Sequence, residues 1–384
     1  MVIYLIVFFI ALLVIKISEF VHVKVLSFVI LLFGISIPSL LAGMRSIYVG
    51  TDILYYGLNA FKLSMVTDLN YVLSNYSKIG DNSVIFYSLW YISSKIFREL
   101  SGPQFILEFL IELNIIVGLL KNKAKHENYH IWYGMAVYYF VFYSYSLNLM
   151  KQSLAMSMIF LCYQYLLNDN RIVAYIVSVI IIGTFCHTSA YIGLVAVILR
   201  YFYTKFYAKK FAISLVKIMA FLIPIFLIFL YGPLMTIVLK FLPRYSLYLT
   251  NAYSNISSIR GLVTQVVLLF IVYLSFIFTR YTVELRSKDI ELYEIAYLLG
   301  VGLFNFSMVA RNGYRIGLYF LYIGGISILP EILRCEKRVD GESESIFVSI
   351  FRAIIILICL FLFWYISFVQ MKINQVVPYS FGWL

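Results

Sequence analysis

Long apolar segments recur along the whole chain, and short polar segments separate them. Segments such as 2–15 and 211–231 are apolar on every face, without the 3.6-residue period of a surface helix or the alternation of a half-buried strand. An α-helix of about 20 such residues crosses about 30 Å of hydrocarbon. The pattern therefore predicts an all-α, polytopic integral membrane protein. It excludes a β-barrel, whose strands are shorter and alternate.

Counting these segments predicts about twelve membrane-spanning helices, within a range of about 11 to 14. The apolar stretch within 84–120 is broken by SGPQ at 101–104. We expect only one crossing there, because two would place the basic segment 121–126 on the outer side. The whole chain, 1–384, is expected to form a single membrane domain. The predicted spans are 2–18, 25–43, one crossing within 84–120, 131–149, 151–167, 171–186, 188–203, 211–231, 261–280, 290–308, 313–333 and 346–369.

Charge then gives an orientation to these spans. Of the 384 residues, 63% are hydrophobic and 12% are charged, and the net charge is +12. The loops richest in lysine and arginine fall on one side, which the positive-inside rule assigns to the cytoplasm. This bias accounts for the positive charge without a nucleic-acid partner. The outer side carries two segments too long for simple connectors, 44–83 and 232–260, which we expect to shape a binding site.

Neither a signal peptide nor a metal site is predicted. The first apolar segment has no basic start and no cleavage site, so we expect a permanent span. The cysteines form no CxxC pair and the histidines form no metal-binding pattern, so we predict no metal and no cofactor. The residues concerned are Cys162, Cys186, Cys335, Cys359, His22, His126, His130 and His187.

Several cations fall on the predicted outer side, where positive charge is under-represented. Arg311 and Arg315 are four residues apart, so in a helix they share one face, with Tyr319 one turn further. Paired guanidinium groups suit phosphate oxygens, which predicts a phosphate or pyrophosphate clamp, and contact with lipid headgroups is the alternative. Lys151 and Gln152 begin a predicted helix, whose N-terminus presents free N–H groups to an anion. The outer cations are Arg45, Lys151, Arg244, Arg260, Arg311 and Arg315.

Candidate proton acceptors also lie in the outer segments. His187 has the hydroxyl neighbours Thr188 and Ser189. It is a candidate base or sugar ligand, and a structural hydrogen-bonding role is the alternative. Asp52 is a candidate to orient or deprotonate a hydroxyl, or else to cap a helix that begins at Ile53.

Other polar and aromatic residues are less specific. Glu108 and Glu112 share a helical face in an apolar setting, and we assign them no role because packing explains them as well as catalysis. Tyrosines are frequent around the outer segments, where phenol rings stack on sugar faces, although interfacial aromatic belts are the alternative. The candidate saccharide-binding residues are Tyr56, Gln152, Tyr319 and Arg244.

Four short motifs follow one another along the chain. They are R-x(3)-VGTD-x(3)-Y from Arg45 to Tyr56, the pair Lys151-Gln152, an H-[ST]-[SA] turn at His187, and R-x(3)-YF from Arg315. In this order they resemble the EpsG-like, Wzy-type bacterial polysaccharide polymerases. The similarity covers about residues 40–330, with PYS at 378–380 as a weaker match. Position 151 is lysine here, whereas arginine is common at this position in that family. Lysine keeps the positive charge but lacks the fork of two N–H groups that binds two phosphate oxygens.

The resemblance implies a GT-C-like, multi-pass glycosyltransferase of the bacterial cytoplasmic (inner) membrane that needs no metal. Such an enzyme joins undecaprenyl-pyrophosphate-linked oligosaccharide repeat units on the periplasmic or extracellular side. The growing chain moves to the non-reducing end of a new lipid-linked unit, which builds lipopolysaccharide O-antigen, capsule or exopolysaccharide. Membrane lipids, and a chain-length regulator, are the further candidate partners.

These expectations give each candidate residue a role. Arg315, Arg311, Arg45 and Lys151 are expected to stabilise the charge that grows on the diphosphate leaving group. His187 or Asp52 is expected to take the proton of the acceptor hydroxyl. An O-antigen ligase, with the same chemistry and another acceptor, stays open. A lipid-linked oligosaccharide flippase is the other alternative, which the lack of internal repeats disfavours.

Overall fold

The computed structural model describes residues 1–125, 129–206, 210–233, 236, 288–308, 313–335 and 346–382. Across these ranges the regular structure is helical, and the extended pairing is an isolated antiparallel bridge between Arg45 and Phe381. This confirms the prediction of an all-α protein. The number of twelve spans and the GT-C-like arrangement stay predictions.

The chain divides into two compact units. Unit 1 comprises Met1–Tyr191 and Leu360–Leu384, and unit 2 comprises Ile192–Cys359. The single membrane domain stays a prediction. The helices of unit 1 are α1 (Val2–Ser18), α2 (Lys24–Met44), α3 (Leu58–Val66), α4 (Leu69–Lys78), α5 (Val84–Phe97), α6 (Ser101–Lys123), α7 (Ile131–Val137), α8 (Tyr143–Asn148), α9 (Met150–Leu167) and α10 (Ile172–Phe185). The described helices that begin in unit 2 are α11 (Val195–Phe206), α12 (Lys210–Phe229), α13 (Lys288–Phe304), α14 (Tyr314–Cys335) and α15 (Ile346–Trp364).

Several helices have the length and apolarity of membrane spans. By length and composition, four described helices are able to cross a bilayer: Lys24–Met44, Ser101–Lys123, Phe211–Phe229 and Ala353–Gln370. α1, α5 and α10 are shorter and also apolar. Within 84–120, α6 is among the four long helices and α5 is one of the shorter ones, and the single crossing there stays a prediction. The predicted span 261–280 lies outside the described residues.

One predicted helix start differs from the structure, and two others agree closely with it. The two apolar segments on either side of SGPQ are separate helices, and SGPQ itself forms the first turn of α6, where the missing N–H of Pro103 removes no helical hydrogen bond. The predicted spans 131–149 and 151–167 are separated at Leu149, which leaves helical geometry, and residues 151–153 lie at the start of α9. The predicted span 188–203 starts as a 3₁₀ helix, Thr188–Leu194, where the neighbouring His187 side chain bonds Ser189 and competes with an α-helix.

The outer segment 44–83 is largely helical. A π-helical turn, Ile53–Gly57, leads into α3, and α4 follows. The Asp68 carboxylate caps α4 by accepting a hydrogen bond from the Tyr71 N–H at 2.8 Å. Most of the other outer segment, 232–260, lies outside the described residues.

An aromatic cluster holds the C-terminal tail of unit 1, residues 371–382, against α1 and α2. The Tyr4 ring meets the rings of Tyr143, Trp364 and Tyr379 edge-on, at 5.5–6.3 Å between centroids. Tyr4 donates a hydrogen bond to the Val376 carbonyl at 2.8 Å. Such aromatic pairs contribute about 0.5–1.5 kcal/mol each beyond their buried area.

Close helix packing defines the described part of unit 2. α13 and α14 approach so closely that a Cβ on Gly317 would lie 2.6 Å from the Gly300 carbonyl oxygen. Small residues allow such contact between membrane helices. Lys217 of α12 pairs with two buried glutamates of α13, at 2.7 Å from Glu294 and 3.3 Å from Glu291.

Candidate active site

A break between α8 and α9 organises the polar residues of unit 1. α8 ends at Asn148, Leu149 leaves helical geometry with φ −100° and ψ 55°, and α9 begins at Met150. The break leaves the Leu147 carbonyl available, and Arg45 Nη1 donates to it at 2.6 Å. Arg45 Nη2 lies 3.3 Å from the Met150 sulfur. The first motif arginine thus lies at the start of α9.

The VGTD turn fits against the same break. Gly50 has φ +84°, and a Cβ there would lie 2.5 Å from the Leu147 carbonyl oxygen. Both the conformation and the close approach therefore require glycine. The next residue, Thr51, donates its N–H and its hydroxyl to Asn148 Oδ1, at 2.7 and 2.8 Å. The motif is a structural joint between the outer segment and α9.

The C-terminal tail completes this joint. Asn374 accepts a hydrogen bond from Asn148 at 3.2 Å. The Ser46 N–H donates to the Ser380 carbonyl at 2.8 Å, and the Gly382 N–H donates to the Met44 carbonyl at 2.9 Å. Residues 44–52, 147–152 and 374–382 therefore meet in unit 1, which explains why the PYS tail accompanies the first two motifs.

Lys151 lies in a cage of one carboxylate and several aromatic rings. Its Nζ lies 2.5 Å from Asp81 Oδ2 and 3.2 Å from the Tyr87 hydroxyl. It also lies 3.8 Å from the centroid of the Tyr56 ring, within cation–π range. Only 7% of Lys151 is exposed. The predicted anion ligand is thus a buried cation that already has a carboxylate partner.

Asp81 is the main residue of this cage that the sequence analysis missed. Its Oδ1 accepts from the Ser83 hydroxyl at 2.6 Å, and its Oδ2 accepts from the Tyr87 hydroxyl at 2.7 Å. Burial alone would raise the pKa of Asp81, but the Lys151 charge and these hydrogen bonds hold it below its ordinary value of 3.8. Asp81 is therefore ionised at neutral pH. An acid beside hydroxyl residues just before an apolar segment was the available signal.

A cavity of about 350 Å³, lined by both polar and apolar side chains, opens beside Asp81. This lies within the range of about 300–1,000 Å³ typical of small-molecule sites. The Tyr87 ring, on its wall, stacks on Tyr76 at 3.8 Å between centroids. Polar groups and hydroxyls suited to a sugar line it, at Ser74, Ser77, Asp81, Asn82 and Thr184.

The histidine turn follows the end of α10 and approaches α9. The Cys186 thiol lies 3.8 Å from the Lys151 carbonyl oxygen. The Ser189 hydroxyl lies 2.6 Å from His187 Nδ1, and the Ser189 N–H donates to the same nitrogen at 3.3 Å. This contact favours the neutral ring with its proton on Nε2, which can donate to a ligand.

The remaining predicted residues of unit 1 lie near this region. Asp52 occupies the N-cap position of the π-helical turn that begins at Ile53, as the capping alternative expected, but its side chain makes no capping hydrogen bond. Gln152 is buried in the first turn of α9, with 3% of its surface exposed. Their roles as base and saccharide ligand stay predictions.

Glu108 and Glu112 belong to a buried polar row along α6. Glu108 accepts hydrogen bonds from Tyr138 and from Ser146, the latter at 2.7 Å. Glu112 accepts one from Tyr139 at 2.8 Å. The Tyr138–Phe142 stretch is a π-helical turn, so these bonds fix an irregular backbone segment. A structural role explains both glutamates.

The other arginine motif lies in unit 2. Arg315 is the second residue of α14, and Tyr319 is buried one turn further. Arg311 and Arg244 lie outside the described residues. The pyrophosphate clamp and the saccharide roles of Tyr319 and Arg244 stay predictions.

Across the described ranges, no group of three or more histidine, cysteine, aspartate or glutamate side chains is placed to hold a metal ion.

Comparison with known proteins gives one match. A family model described as the EpsG family matches residues 28–381. This range includes the four motifs and the PYS tail. No curated protein and no solved structure matches the chain.

Proposed function

The chain belongs to the EpsG family, and from this premise we propose that it polymerises lipid-linked oligosaccharides. The family and the apolar helices identify a membrane protein of polysaccharide biosynthesis, of the glycosyltransferase-like polymerase type. The proposed reaction joins undecaprenyl-pyrophosphate-linked repeat units on the outer face of the cytoplasmic membrane, without a metal or cofactor. The growing chain moves to the non-reducing end of a new lipid-linked unit.

The observation that carries this proposal is the cage around Lys151. A buried cation, an ionised carboxylate and stacked aromatic rings converge at a helix N-terminus beside a cavity that hydroxyl and amide side chains help to line. Helix N-termini and cations favour anions, whereas aromatic rings and carboxylates favour sugars. A saccharide joined to a diphosphate presents both chemistries. We therefore assign the saccharide to the cavity beside Asp81 and the diphosphate to the start of α9.

In the proposed step, the acceptor hydroxyl attacks the anomeric carbon of the growing chain. The new glycosidic bond forms as the carbon–oxygen bond to the diphosphate breaks, and the diphosphate leaves with the electron pair. Lys151 and Arg45 stabilise the charge on this leaving group, a role also proposed for Arg315 and Arg311.

A carboxylate or imidazole takes the proton of the acceptor hydroxyl. His187 and Asp52 are the candidates from sequence, and the Asp81 carboxylate also lines the cavity. Asp81 is a weak base, because its carboxylate is paired with Lys151 and accepts from Ser83 and Tyr87, which hold its pKa below the ordinary value. We therefore give Asp81 the role of positioning Lys151. Asp52 and His187 stay the candidate bases, and a neutral His187 with its proton on Nε2 would instead donate a hydrogen bond to the saccharide.

Deleting the gene from the source strain tests this function. We expect long polymer to disappear and single lipid-linked repeat units to accumulate on the outer face of the membrane. Mass spectrometry of extracted lipids, combined with an outer-face glycan label on intact cells, measures both. Repeat units trapped on the cytoplasmic face would instead identify a flippase. Long polymer on the lipid carrier that fails to reach its final acceptor would identify a ligase.

A further inference from the structure

Three neighbours already match the three N–H groups of the buried Lys151 side chain. An ammonium group has three donors and no acceptor. The Lys151 Nζ lies 2.5 Å from the Asp81 carboxylate and 3.2 Å from the Tyr87 hydroxyl. It lies 3.8 Å from the centroid of the Tyr56 ring, and the Tyr87 and Phe86 rings follow at 5.2 and 5.8 Å. An anion that binds Lys151, as the proposed function requires, therefore has to displace one of the first three.

Tyr56 is the neighbour that an anion displaces at the lowest cost. Tyr56 is 37% exposed, whereas Tyr87 is 1% exposed and the side chain of Asp81 is 21% exposed. Tyr87 also donates to Asp81 at 2.7 Å and stacks on Tyr76, so moving either residue breaks further contacts. A cation–π contact is weaker than a largely buried ion pair, and breaking such a pair leaves a buried charge without compensation.

The backbone that carries Tyr56 is anchored on the side of α5. Tyr56 belongs to the π-helical turn Ile53–Gly57, and π-helical turns are frequent at functional sites. The Gly57 carbonyl accepts a hydrogen bond from Trp90 Nε1 at 3.0 Å. Rotation of the Tyr56 side chain therefore uncovers Lys151 while the turn keeps its place.

We propose that the Tyr56 ring controls the access of the diphosphate to Lys151. The ring covers one face of the ammonium group, and it rotates away when a phosphoryl oxygen takes its place. Asp81 and Tyr87 stay bonded to Lys151 and hold it in position. The inference rests on the proposed function, in which Lys151 binds the leaving diphosphate. It assigns Tyr56 to the anion subsite, whereas the sequence indicated a saccharide ligand.

Binding of inorganic pyrophosphate to the purified full-length protein tests this role. Calorimetry compares wild type with Tyr56→Ala and Tyr56→Phe. We expect Tyr56→Ala to bind pyrophosphate about tenfold more tightly than wild type, because no ring has to be displaced. Tyr56→Phe should bind it as wild type does, because it keeps the ring over the cation. An affinity in Tyr56→Ala no higher than in wild type would overturn the proposal.

Two controls connect this gain in affinity to the ring and to the lysine. Tyr55→Ala removes a tyrosine of the same turn that is 71% exposed, and it should leave the affinity unchanged. Adding Lys151→Gln to Tyr56→Ala should abolish the gain, because the gain depends on the ammonium group. A gain that persists without Lys151 would place the anion elsewhere and contradict the assignment.

The reactivity of the Lys151 amine tests the cover without a ligand. Acetic anhydride modifies accessible amines, and mass spectrometry of the peptide that contains Lys151 measures the rate. We expect modification about tenfold faster in Tyr56→Ala than in wild type or Tyr56→Phe. Equal rates in the three proteins would show that the ring does not control access.

These results are separable from the proposed function. Wild-type protein that joins repeat units, with equal pyrophosphate affinity and equal amine reactivity in all three proteins, would refute only the role of Tyr56. A gain of affinity and reactivity in Tyr56→Ala, for a chain whose wild type makes no polymer, would refute only the polymerase.

Discussion

Lys151→Ala should reduce polymer about 100- to 1,000-fold, the effect typical of removing one preorganised group that stabilises transition-state charge. The change also leaves Asp81 without its cation in a largely buried site, where breaking an ion pair costs about 3–5 kcal/mol. The measurement is polymer in membranes from cells that express equal amounts of each variant. Lys151→Arg is the matched control, because it keeps the charge and restores the residue common in the family. It should retain most activity.

The same ion pair can be purely structural, and the double variant separates the two roles. If Lys151 and Asp81 only neutralise each other, removing both should restore polymer relative to either single change. The proposed role requires Lys151→Ala/Asp81→Ala to be as inactive as the single variants. Asp81→Asn should also be inactive, because it keeps the size of the side chain but loses the carboxylate. A normal amount of polymer in Asp81→Asn would show that the Asp81 carboxylate has no role in the reaction.

The pKa of Asp81 gives the sign of the pH dependence. A pKa held below 3.8 means that the stabilisation from this carboxylate is present above the ordinary aspartate range. It is lost only as the pH falls through the lowered value. The difference in stability between wild type and Asp81→Asn should therefore stay constant between about pH 6 and 8.

Arg315→Ala should abolish long polymer while the protein stays in the membrane at a normal level. The guanidinium at the start of α14 is proposed to bind the diphosphate, and loss of such a donor costs about 100- to 1,000-fold in rate. Gel electrophoresis measures the length of the polymer, and immunoblotting of membranes measures the amount of the protein.

Arg315→Lys separates charge from geometry. Lysine keeps the positive charge but lacks the planar fork that binds two phosphate oxygens at once. The clamp therefore predicts that Arg315→Lys stays severely impaired, unlike Lys151→Arg at the other cation. Polymer at the wild-type level in Arg315→Lys would mean that only the positive charge of this residue matters. Polymer at the wild-type level in Arg315→Ala would contradict the assignment of Arg315 to a diphosphate clamp.

The membrane helices could be predicted from sequence, because apolarity on every face of a helix depends only on the residues of that helix. α2, α6 and α12 follow directly from runs of apolar residues. The first residues of the helices were harder to predict. SGPQ reads as a break, yet proline is compatible with the first turn of a helix. The interruption at Leu149 agrees with the predicted spans 131–149 and 151–167; it carries no glycine or proline, and Arg45 and Asn148 make hydrogen bonds beside it.

Only part of the candidate site could be predicted from sequence, because the rest depends on contacts between residues far apart in the chain. Residue types and motif order identified Arg45, Asp52 and Lys151, but their partners depend on packing. Lys151 pairs with Asp81, 70 positions earlier in the chain, and no local pattern encodes that contact. No sequence pattern indicates that the guanidinium group of Arg45 contacts the α8–α9 break. That contact makes Arg45 part of the framework as well as a candidate ligand.

Reconstitution of the purified protein in liposomes tests the central proposal most directly. The liposomes would contain undecaprenyl-pyrophosphate-linked single repeat units and no nucleotide sugar, with a chelator present. Products would be separated by length on a gel, and the Lys151→Ala protein would serve as the inactive control. The account predicts a ladder of lipid-linked chains that grows by whole repeat units with the wild-type protein alone. Unchanged single units with wild-type protein, under conditions where it is folded and binds the substrate, would contradict it.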